Sequence, residues 1–290
     1  MEDHIEEALT RRGFLTRSAA AGLAVAGAAG VGGLARAAAG ELGAQGPVTP
    51  ASLNEWLGGI HWLDYVPDRV ALTFDDGPRP RTTPRVLKVL EAEDITGTFF
   101  ICGRLVRRFP EIFKDIVAAG HQLANHTWSH PNLADLTKKE IVREFDRTQD
   151  MVNQTLGREV VLRYYRPPYG SPWYKKNRSA LRAQRRICEV IDERQGLLCM
   201  WQVHSNDSHP GVTKKSIYKS MRMKFDRKKA GAMVFHDSSS MTSRNLTEYL
   251  EFIRGYGLRF TTIDELVTHK YGVSPEAVTR LPTLARPARS

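Results

Sequence analysis

The chain has 290 residues and a formal net charge of +10, with 41% hydrophobic and 26% charged residues. This length supports a buried core, and the apolar fraction excludes a wholly disordered or fibrous chain. The mean hydropathy of -0.38 excludes a protein with many membrane spans. Three cysteines exclude a disulfide-built scaffold. The basic balance favours an anionic partner, such as nucleic acid, lipid or a cell-wall polymer.

Residues 1–40 differ in composition from the remainder. An arginine pair at 11–12 precedes an uncharged, Ala/Gly-rich run from 18 to 35, and three alanines follow at 37–39. This order resembles a twin-arginine export signal with a small-residue cleavage site. A permanent membrane anchor is the weaker alternative, because Ala and Gly contribute little insertion energy. We therefore predict export to the periplasm, the cell envelope or the medium. The charges of this segment cancel, so the net +10 belongs to the rest of the chain.

From Val70 onward, short apolar runs alternate with amphipathic stretches. The pattern predicts strands at 70–74, 98–102, 122–125, 162–166, 197–203, 232–236 and 259–263. It predicts helices that include 83–91, 105–119, 137–156 and 245–256. Thr137 and Glu140 have the spacing of a capping box, and Gly157 stands where a helix C-cap is expected. This alternation predicts a parallel α/β architecture, for which a barrel is the natural closed form.

Three groups of polar residues follow predicted strands, where α/β folds place active sites. They are the adjacent pair Asp75 and Asp76, the histidines His126 and His130, and His236. Each group alone has an ordinary explanation, such as a turn, unrelated surface histidines or a hydrogen-bonded structural residue. Together, two histidines and a carboxylate match a three-ligand metal site with open positions. A second carboxylate and a third histidine remain as general base and general acid.

These motifs resemble those of the polysaccharide deacetylases of the NodB-homology type, carbohydrate esterase family four. The matching runs are TFDDGP at 73–78, HTWSH at 126–130, RPPYG at 166–170 and VFH at 234–236. The resemblance covers roughly residues 66–270, between a lead-in at 41–65 and a tail at 271–290. It implies a distorted (β/α) barrel of about seven strands.

The resemblance also implies a role for each matching residue. Asp75 is expected to be the general base and His236 the general acid. Asp76, His126 and His130 are expected to hold a divalent metal. Zinc is the first expectation, with cobalt, nickel or iron as alternatives that the same ligands accept.

Further residues are expected to support this chemistry. Arg166 would orient Asp75, and the backbone N–H of Tyr169 would help bind the oxyanion. The family's fourth motif is altered here. Asp207 keeps its second aspartate and would pair with Arg166 or support His236, while His204 replaces its first aspartate. We expect His204 to change the groove wall and therefore the substrate preference, rather than to become a fourth metal ligand.

Substrate and partner contacts are predicted from aromatic and basic residues. Trp173 and Tyr174 follow the third motif in a basic loop and are candidates for glycan contact, together with His204. The basic stretches 175–186 and 214–229 are either solvated helix faces or contacts to an anionic envelope polymer or membrane surface. We expect no nucleic acid, because no recognition motif is found, and we expect a monomer.

The predicted function is metal-dependent removal of N-acetyl groups from an envelope or extracellular polysaccharide of the N-acetylglucosamine type. Two alternatives stay open at this point. One is an O-acetyl esterase acting on a polysaccharide, for which the general acid matters less. The other is a catalytically inactive, wall-binding homologue, against which the intact set of acidic and histidine residues argues.

Overall fold

The computed structural model describes residues 68–175, 177–227 and 230–279. The predicted export signal, the lead-in segment and the end of the tail from residue 280 lie outside the described residues. Within the described ranges, no helix combines the length and apolarity needed to cross a membrane.

One parallel sheet organises the described chain and confirms the predicted distorted barrel. Its spatial order is β5-β4-β3-β2-β1-β7-β6, and β8 pairs with the start of β1. The strands are β1 Arg69–Gly77, β2 Thr98–Ile101, β3 Gln122–Asn125, β4 Tyr164–Tyr165, β5 Leu197–Leu198, β6 Val203–His204, β7 Gly231–His236 and β8 Arg259–Thr261.

The prediction of one strand over 197–203 is wrong, because this stretch forms two short strands. β5 pairs with β4, whereas β6 pairs with β7 at the other end of the sheet order. Between them, the carbonyls of Cys199 and Met200 accept hydrogen bonds from the Arg166 side chain at 2.9 and 3.1 Å. These carbonyls therefore bind a side chain instead of a neighbouring strand. The segment connects β5, at one end of the strand order, to β6, at the other end.

Helices cover the outside of the sheet. They are α1 Thr83–Ala92, α2 Gly103–Arg108, α3 Pro110–Ala118, α4 Lys138–Leu156, α5 Arg178–Asp192, α6 Lys214–Phe225, α7 Ser240–Arg254 and α8 Ile263–Tyr271. The single helix predicted over 105–119 is divided at Phe109, since Pro110 disfavours a helical residue before it. The predicted capping box of Thr137 and Glu140 is confirmed, as is the left-handed C-cap Gly157.

Alternation along β1 assigns its side chains to two buried surfaces. Leu72 and Phe74 pack with the helices, and the Phe74 ring stacks on Phe99 with centroids 5.0 Å apart. Ala71 belongs to a second cluster inside the barrel. Because strand side chains alternate with a period of two, Thr73 and Asp75 share the inner side with Ala71. The strand therefore delivers Asp75 to the inside of the barrel at its carboxyl end.

Candidate active site

The predicted site residues lie at the carboxyl ends of four strands. Asp75 and Asp76 are in the last residues of β1, His126 directly follows β3, Arg166 follows β4 and His236 ends β7. Carboxyl ends of parallel strands meet at one face of a barrel, so residues far apart in sequence become neighbours.

Asp76, His126 and His130 converge on one point. The Oδ1 atom of Asp76 lies 3.0 Å from Nε2 of His130 and 3.5 Å from Nε2 of His126. One ligand atom from each residue lies within 4.8 Å of the other two. The buried Oδ1 of Asp76 accepts no hydrogen bond from the described part of the chain. Two imidazoles and an otherwise unsatisfied carboxylate oxygen fit a divalent cation such as zinc.

The surroundings of these three side chains favour their metal-binding forms. Nδ1 of His126 lies 2.8 Å from the carbonyl oxygen of Arg166, so this nitrogen carries the proton and Nε2 presents its lone pair. Burial raises the pKa of Asp76, but the adjacent imidazoles of His126 and His130 outweigh it and hold the pKa well below its ordinary value. Asp76 is therefore an ionised carboxylate.

A tight turn, rather than a helix, brings the two histidines together. Thr127 and His130 have left-handed φ values of 73° and 64°. Asn125 Oδ1 accepts a hydrogen bond from the Thr127 N–H at 2.9 Å, and Thr127 Oγ1 accepts one from the His130 N–H at 3.0 Å. Glu144 accepts two hydrogen bonds from Ser129 in the same turn. These side chains stabilise a backbone conformation that non-glycine residues rarely adopt.

Arg166 and Asp75 form a buried ion pair beside the three converging residues. Nη1 of Arg166 donates to Asp75 Oδ1 at 2.6 Å and to Thr73 Oγ1 at 2.9 Å. The guanidinium is completely buried and lies 3.7 Å from the centroid of the Phe100 ring. The other oxygen, Asp75 Oδ2, lies 3.8 Å from Nε2 of His126. The structure thus brings Arg166 and Asp75 together. Oδ1 of Asp75 contacts Arg166, and Oδ2 faces His126.

His236 is held by Asp207. Nδ1 of His236 lies 2.7 Å from Asp207 Oδ1, and its backbone N–H donates to Oδ2 at 2.8 Å. Thr242 also donates its hydroxyl to Oδ2. Burial lowers the pKa of His236, but the hydrogen bond and charge of Asp207, with the charges of Asp75 and Asp76, raise it to about 9. Of the two partners expected for Asp207, the structure shows His236 and not Arg166.

His204 lies near His236 but outside the metal-binding group. Its ring centroid is 6.2 Å from that of His236, and its Nδ1 accepts a hydrogen bond from the Asn206 N–H at 2.7 Å. Burial and the neighbouring His236 charge lower the pKa of His204 to about 4. Within the described residues, the group able to hold a metal comprises Asp76, His126 and His130. His204 is therefore a neutral ring beside the histidine that Asp207 holds.

The two aromatic residues predicted to contact glycan have different environments. Trp173 packs partly buried against the core cluster that contains Phe145. Tyr174 is 67% exposed, and its ring centroid lies 6.3 Å from Trp201, which in turn lies 5.3 Å from His204. Tyr174 thus belongs to a continuous aromatic surface that reaches the site, whereas Trp173 contributes mainly to packing.

Tyr169 borders the converging histidines. It has a left-handed φ of 62° and is 66% exposed. Its hydroxyl lies 3.2 Å from Nδ1 of His130, with ring centroids 4.7 Å apart. The phenol therefore contacts a candidate metal ligand directly, a contact that the motif spacing did not predict.

Asp237 is a buried carboxyl for which the sequence analysis assigned no role. Its Oδ2 accepts a hydrogen bond from Thr83 at 2.6 Å, and its Oδ1 has no partner among the described residues. Burial raises the pKa of Asp237 to about 7. A Cβ atom at residue 77 would lie 2.0 Å from Oδ2 of Asp237, so only glycine fits at this position. An acidic residue directly after the apolar β7 run was the available sequence signal.

Comparisons with known proteins show which families and folds the chain is similar to. The polysaccharide deacetylase family profile matches residues 64–187. The chain is 30% identical over 217 residues to a peptidoglycan N-acetylglucosamine deacetylase of Listeria monocytogenes, across 72% of this chain and 41% of the relative. The chain thus spans about two fifths of that relative's length.

Solved structures share the fold. The peptidoglycan deacetylase of Bacillus subtilis has a TM-score of 0.57 and 28% identity, covering 71% of this chain and 93% of that one. A pseudoenzyme of carbohydrate esterase family four from Bacillus anthracis has a TM-score of 0.58 and 25% identity, covering 70% and 66%. Residues 64–187 thus match the polysaccharide deacetylase family, and the chain is similar in sequence and in barrel fold to deacetylases of carbohydrate esterase family four.

Proposed function

We propose that the protein is a metal-dependent deacetylase that hydrolyses N-acetyl groups of an envelope or extracellular polysaccharide and releases acetate. The observation that carries this proposal is the convergence of Asp76, His126 and His130 between two ion pairs, Asp75 with Arg166 and His236 with Asp207. A divalent cation held by the three converging residues would supply Lewis acidity to the acetamide carbonyl and to a water molecule. Relatives named as peptidoglycan deacetylases support the choice of substrate class.

Asp75 is the general base in this proposal. Arg166 donates a hydrogen bond to Oδ1 of Asp75 and another to Thr73. The Oδ2 atom of Asp75 faces His126. This oxygen accepts a proton from the attacking water. The buried guanidinium binds Oδ1 at 2.6 Å and so fixes the orientation of the carboxylate. The Tyr169 N–H, on the neighbouring turn, donates to the oxygen that becomes negative in the transition state.

His236 is the general acid. Asp207 binds Nδ1 and holds the ring protonated at neutral pH, so Nε2 carries a proton for the departing nitrogen. An amide nitrogen leaves as an amine only after it gains a proton, whereas an ester oxygen leaves more readily. A histidine with a raised pKa therefore favours N-acetyl over O-acetyl groups as substrates.

Acetate release from a panel of glycans tests the function. The panel contains chitooligosaccharide, peptidoglycan, poly-N-acetylglucosamine and acetylxylan, each with and without a chelator. We expect release from an N-acetylated glycan, loss of release with the chelator, and recovery on adding zinc, with cobalt, nickel and iron compared in parallel. Asp76→Ala is the matched metal-site variant, and it is expected to lose metal in elemental analysis as well as activity.

Two results would contradict the proposal in different ways. Acetate release that persists in chelator would exclude the metal mechanism. A metal-loaded protein that binds peptidoglycan tightly but releases no acetate from any glycan would favour the inactive, wall-binding alternative, a state that the related pseudoenzyme shows to occur on this fold.

We also propose that residues 1–40 direct export by a twin-arginine route, so that the domain folds and acquires its metal before export. The arginine pair and the uncharged run that follows it support this proposal. Replacing both Arg11 and Arg12 by lysine is expected to retain the full-length chain inside the cell, as measured by fractionation. Unchanged export of that variant would exclude the twin-arginine route.

A further inference from the structure

We propose that a cavity lined by arginines beside the active site binds a phosphate group carried by the polysaccharide substrate. This inference rests on the proposed function, because it names a chemical class of that substrate. The cavity has a volume of about 410 Å³ and is lined by Arg79, Arg104, Leu105, Arg107 and Arg108. Its size lies within the range of roughly 300–1,000 Å³ that is typical of small-molecule sites.

The cavity wall carries a local excess of positive charge. No ion pair with a carboxylate involves the four lining arginines within the described residues, and no acidic residue lines the cavity. Glu111, the nearest acidic residue along the chain after Arg108, pairs with Lys114 at 2.9 Å. Guanidinium groups gathered around one cavity repel each other, and a bound anion would relieve this repulsion.

The cavity adjoins the active site through the backbone. Arg79 follows β1, and its Nε donates to the carbonyl oxygen of Asp76 at 3.2 Å. Arg104 is the second residue of α2, and its N–H donates to the Trp128 carbonyl at 3.1 Å, within the turn that carries both histidines. The cavity is thus attached to both segments that provide the candidate metal ligands. An anion bound there would belong to the same glycan whose acetyl group reaches the site.

Two of the arginines are held in place by aromatic rings. The Arg107 guanidinium lies 5.1 Å from the centroid of Trp128, and that of Arg108 lies 5.2 Å from Phe109. Stacking of this kind orders the side chains before a ligand arrives and reduces the entropy lost on binding.

Several guanidinium groups around one cavity suit phosphate better than carboxylate. A carboxylate offers two oxygens in one plane and is matched by a single arginine fork. A phosphate group offers oxygens in several directions and can accept hydrogen bonds from more than one fork. The four arginines therefore point to a phosphate-substituted or phosphodiester-linked glycan.

Binding by calorimetry tests this inference with the full-length chain. The probes are N-acetylglucosamine 6-phosphate, N-acetylglucosamine and glucuronic acid, at one ionic strength. The sugar phosphate is expected to bind more tightly than either other probe. The variant with Arg104→Gln and Arg108→Gln is expected to bind it at least about tenfold more weakly, because two charge-assisted contacts are removed.

The matched control removes two exposed arginines outside the cavity and outside both basic stretches, by Arg158→Gln and Arg244→Gln, and is expected to retain wild-type affinity. Equal weakening in the control would show attraction by overall charge and overturn the site. Equal affinity for glucuronic acid would overturn the choice of phosphate, and absence of sugar phosphate binding would overturn the inference itself. Since binding is measured without turnover, these results are independent of whether the protein releases acetate.

Discussion

Two buried ion pairs flank the candidate metal ligands, and they differ in the nature of their cation. Asp75 pairs with Arg166, a cation that stays charged at every accessible pH. Asp207 pairs with His236, whose charge is lost on deprotonation near pH 9. The first pair presents a carboxylate with a fixed orientation, and the second presents a proton. In the proposed mechanism, the partner cation therefore decides which carboxylate accepts a proton and which one holds a proton donor.

The substitution Asp75→Asn replaces the carboxylate by an amide of the same shape that cannot accept a proton. It is expected to have the largest effect on activity. The amide oxygen still accepts the Arg166 hydrogen bond, but the side chain cannot take a proton from water. We expect kcat for acetate release to fall about 100- to 10,000-fold with little change in KM. Metal content, measured in the same samples, is expected to stay at the wild-type level. A variant with wild-type kcat would remove Asp75 from the role of base.

Arg166→Lys tests whether the first pair depends on a fork-shaped cation. The single ammonium group of a lysine cannot donate hydrogen bonds to Asp75, Thr73 and the carbonyl of Cys199 at the same time. Because the site is completely buried, we expect a loss of about 3 kcal/mol or more in the free energy of unfolding, measured by urea denaturation. The exposed substitution Arg178→Lys is the control and is expected to change stability by less than about 0.5 kcal/mol. Equal stabilities would show that the fork geometry is unimportant.

Asp207→Asn breaks the second pair without removing its hydrogen-bond acceptor. The pKa of His236 is expected to fall from about 9, because burial lowers it and the hydrogen bond and charge of Asp207 are its main raising interactions, while the charges of Asp75 and Asp76 remain. Because the acid must be protonated, the alkaline limb of the kcat profile is expected to move to lower pH. An alkaline limb at the wild-type position would contradict the assignment of His236 as the acid.

The same pair links stability to pH with a defined sign. A histidine whose folded pKa is raised contributes stability that is fully present below its unfolded pKa, 6.5, and is lost as pH rises through about 9. The stability difference between wild type and Asp207→Asn is therefore expected to be largest below pH 6.5 and to shrink above pH 9. Denaturation curves in both ranges measure it, and a difference that grows with pH would contradict the pairing.

Thr242→Val is expected to have the smallest effect. It removes one hydroxyl donor from Asp207 Oδ2, which keeps its hydrogen bond from the His236 N–H. We expect a loss of about 1 kcal/mol in the free energy of unfolding. Thr242→Ser is the matched control, because it restores the donor. Identical behaviour of the valine and serine variants would show that the hydroxyl makes no energetic contribution.

The sequence predicted the architecture well wherever the structure follows from a local pattern. Alternating apolar and amphipathic runs located the strands, and the Thr137 capping box and Gly157 marked the helix ends. It failed at Phe109, where a proline restricts its neighbour, and at 197–203. There, hydrogen bonds from a side chain more than thirty positions away replaced strand pairing. Periodicity carries no information about such distant partners.

For the site, the sequence by itself determined which residue types stand at strand ends, and therefore that Asp75, Asp76, His126, His130 and His236 would meet. This follows because the carboxyl ends of parallel strands share one face of a barrel. The metal-binding and catalytic roles of these residues stay predictions until the variants are measured.

Only the tertiary structure decided the partners. It assigned Asp207 to His236 rather than to Arg166, packed Trp173 partly buried against the core, and buried the unassigned carboxyl of Asp237 beside Gly77. It also brought Arg79, which follows β1, together with the three arginines of α2 in one cavity. Burial and charge pairing depend on which segments pack against each other in space, and that packing is a property of the folded chain rather than of any local pattern.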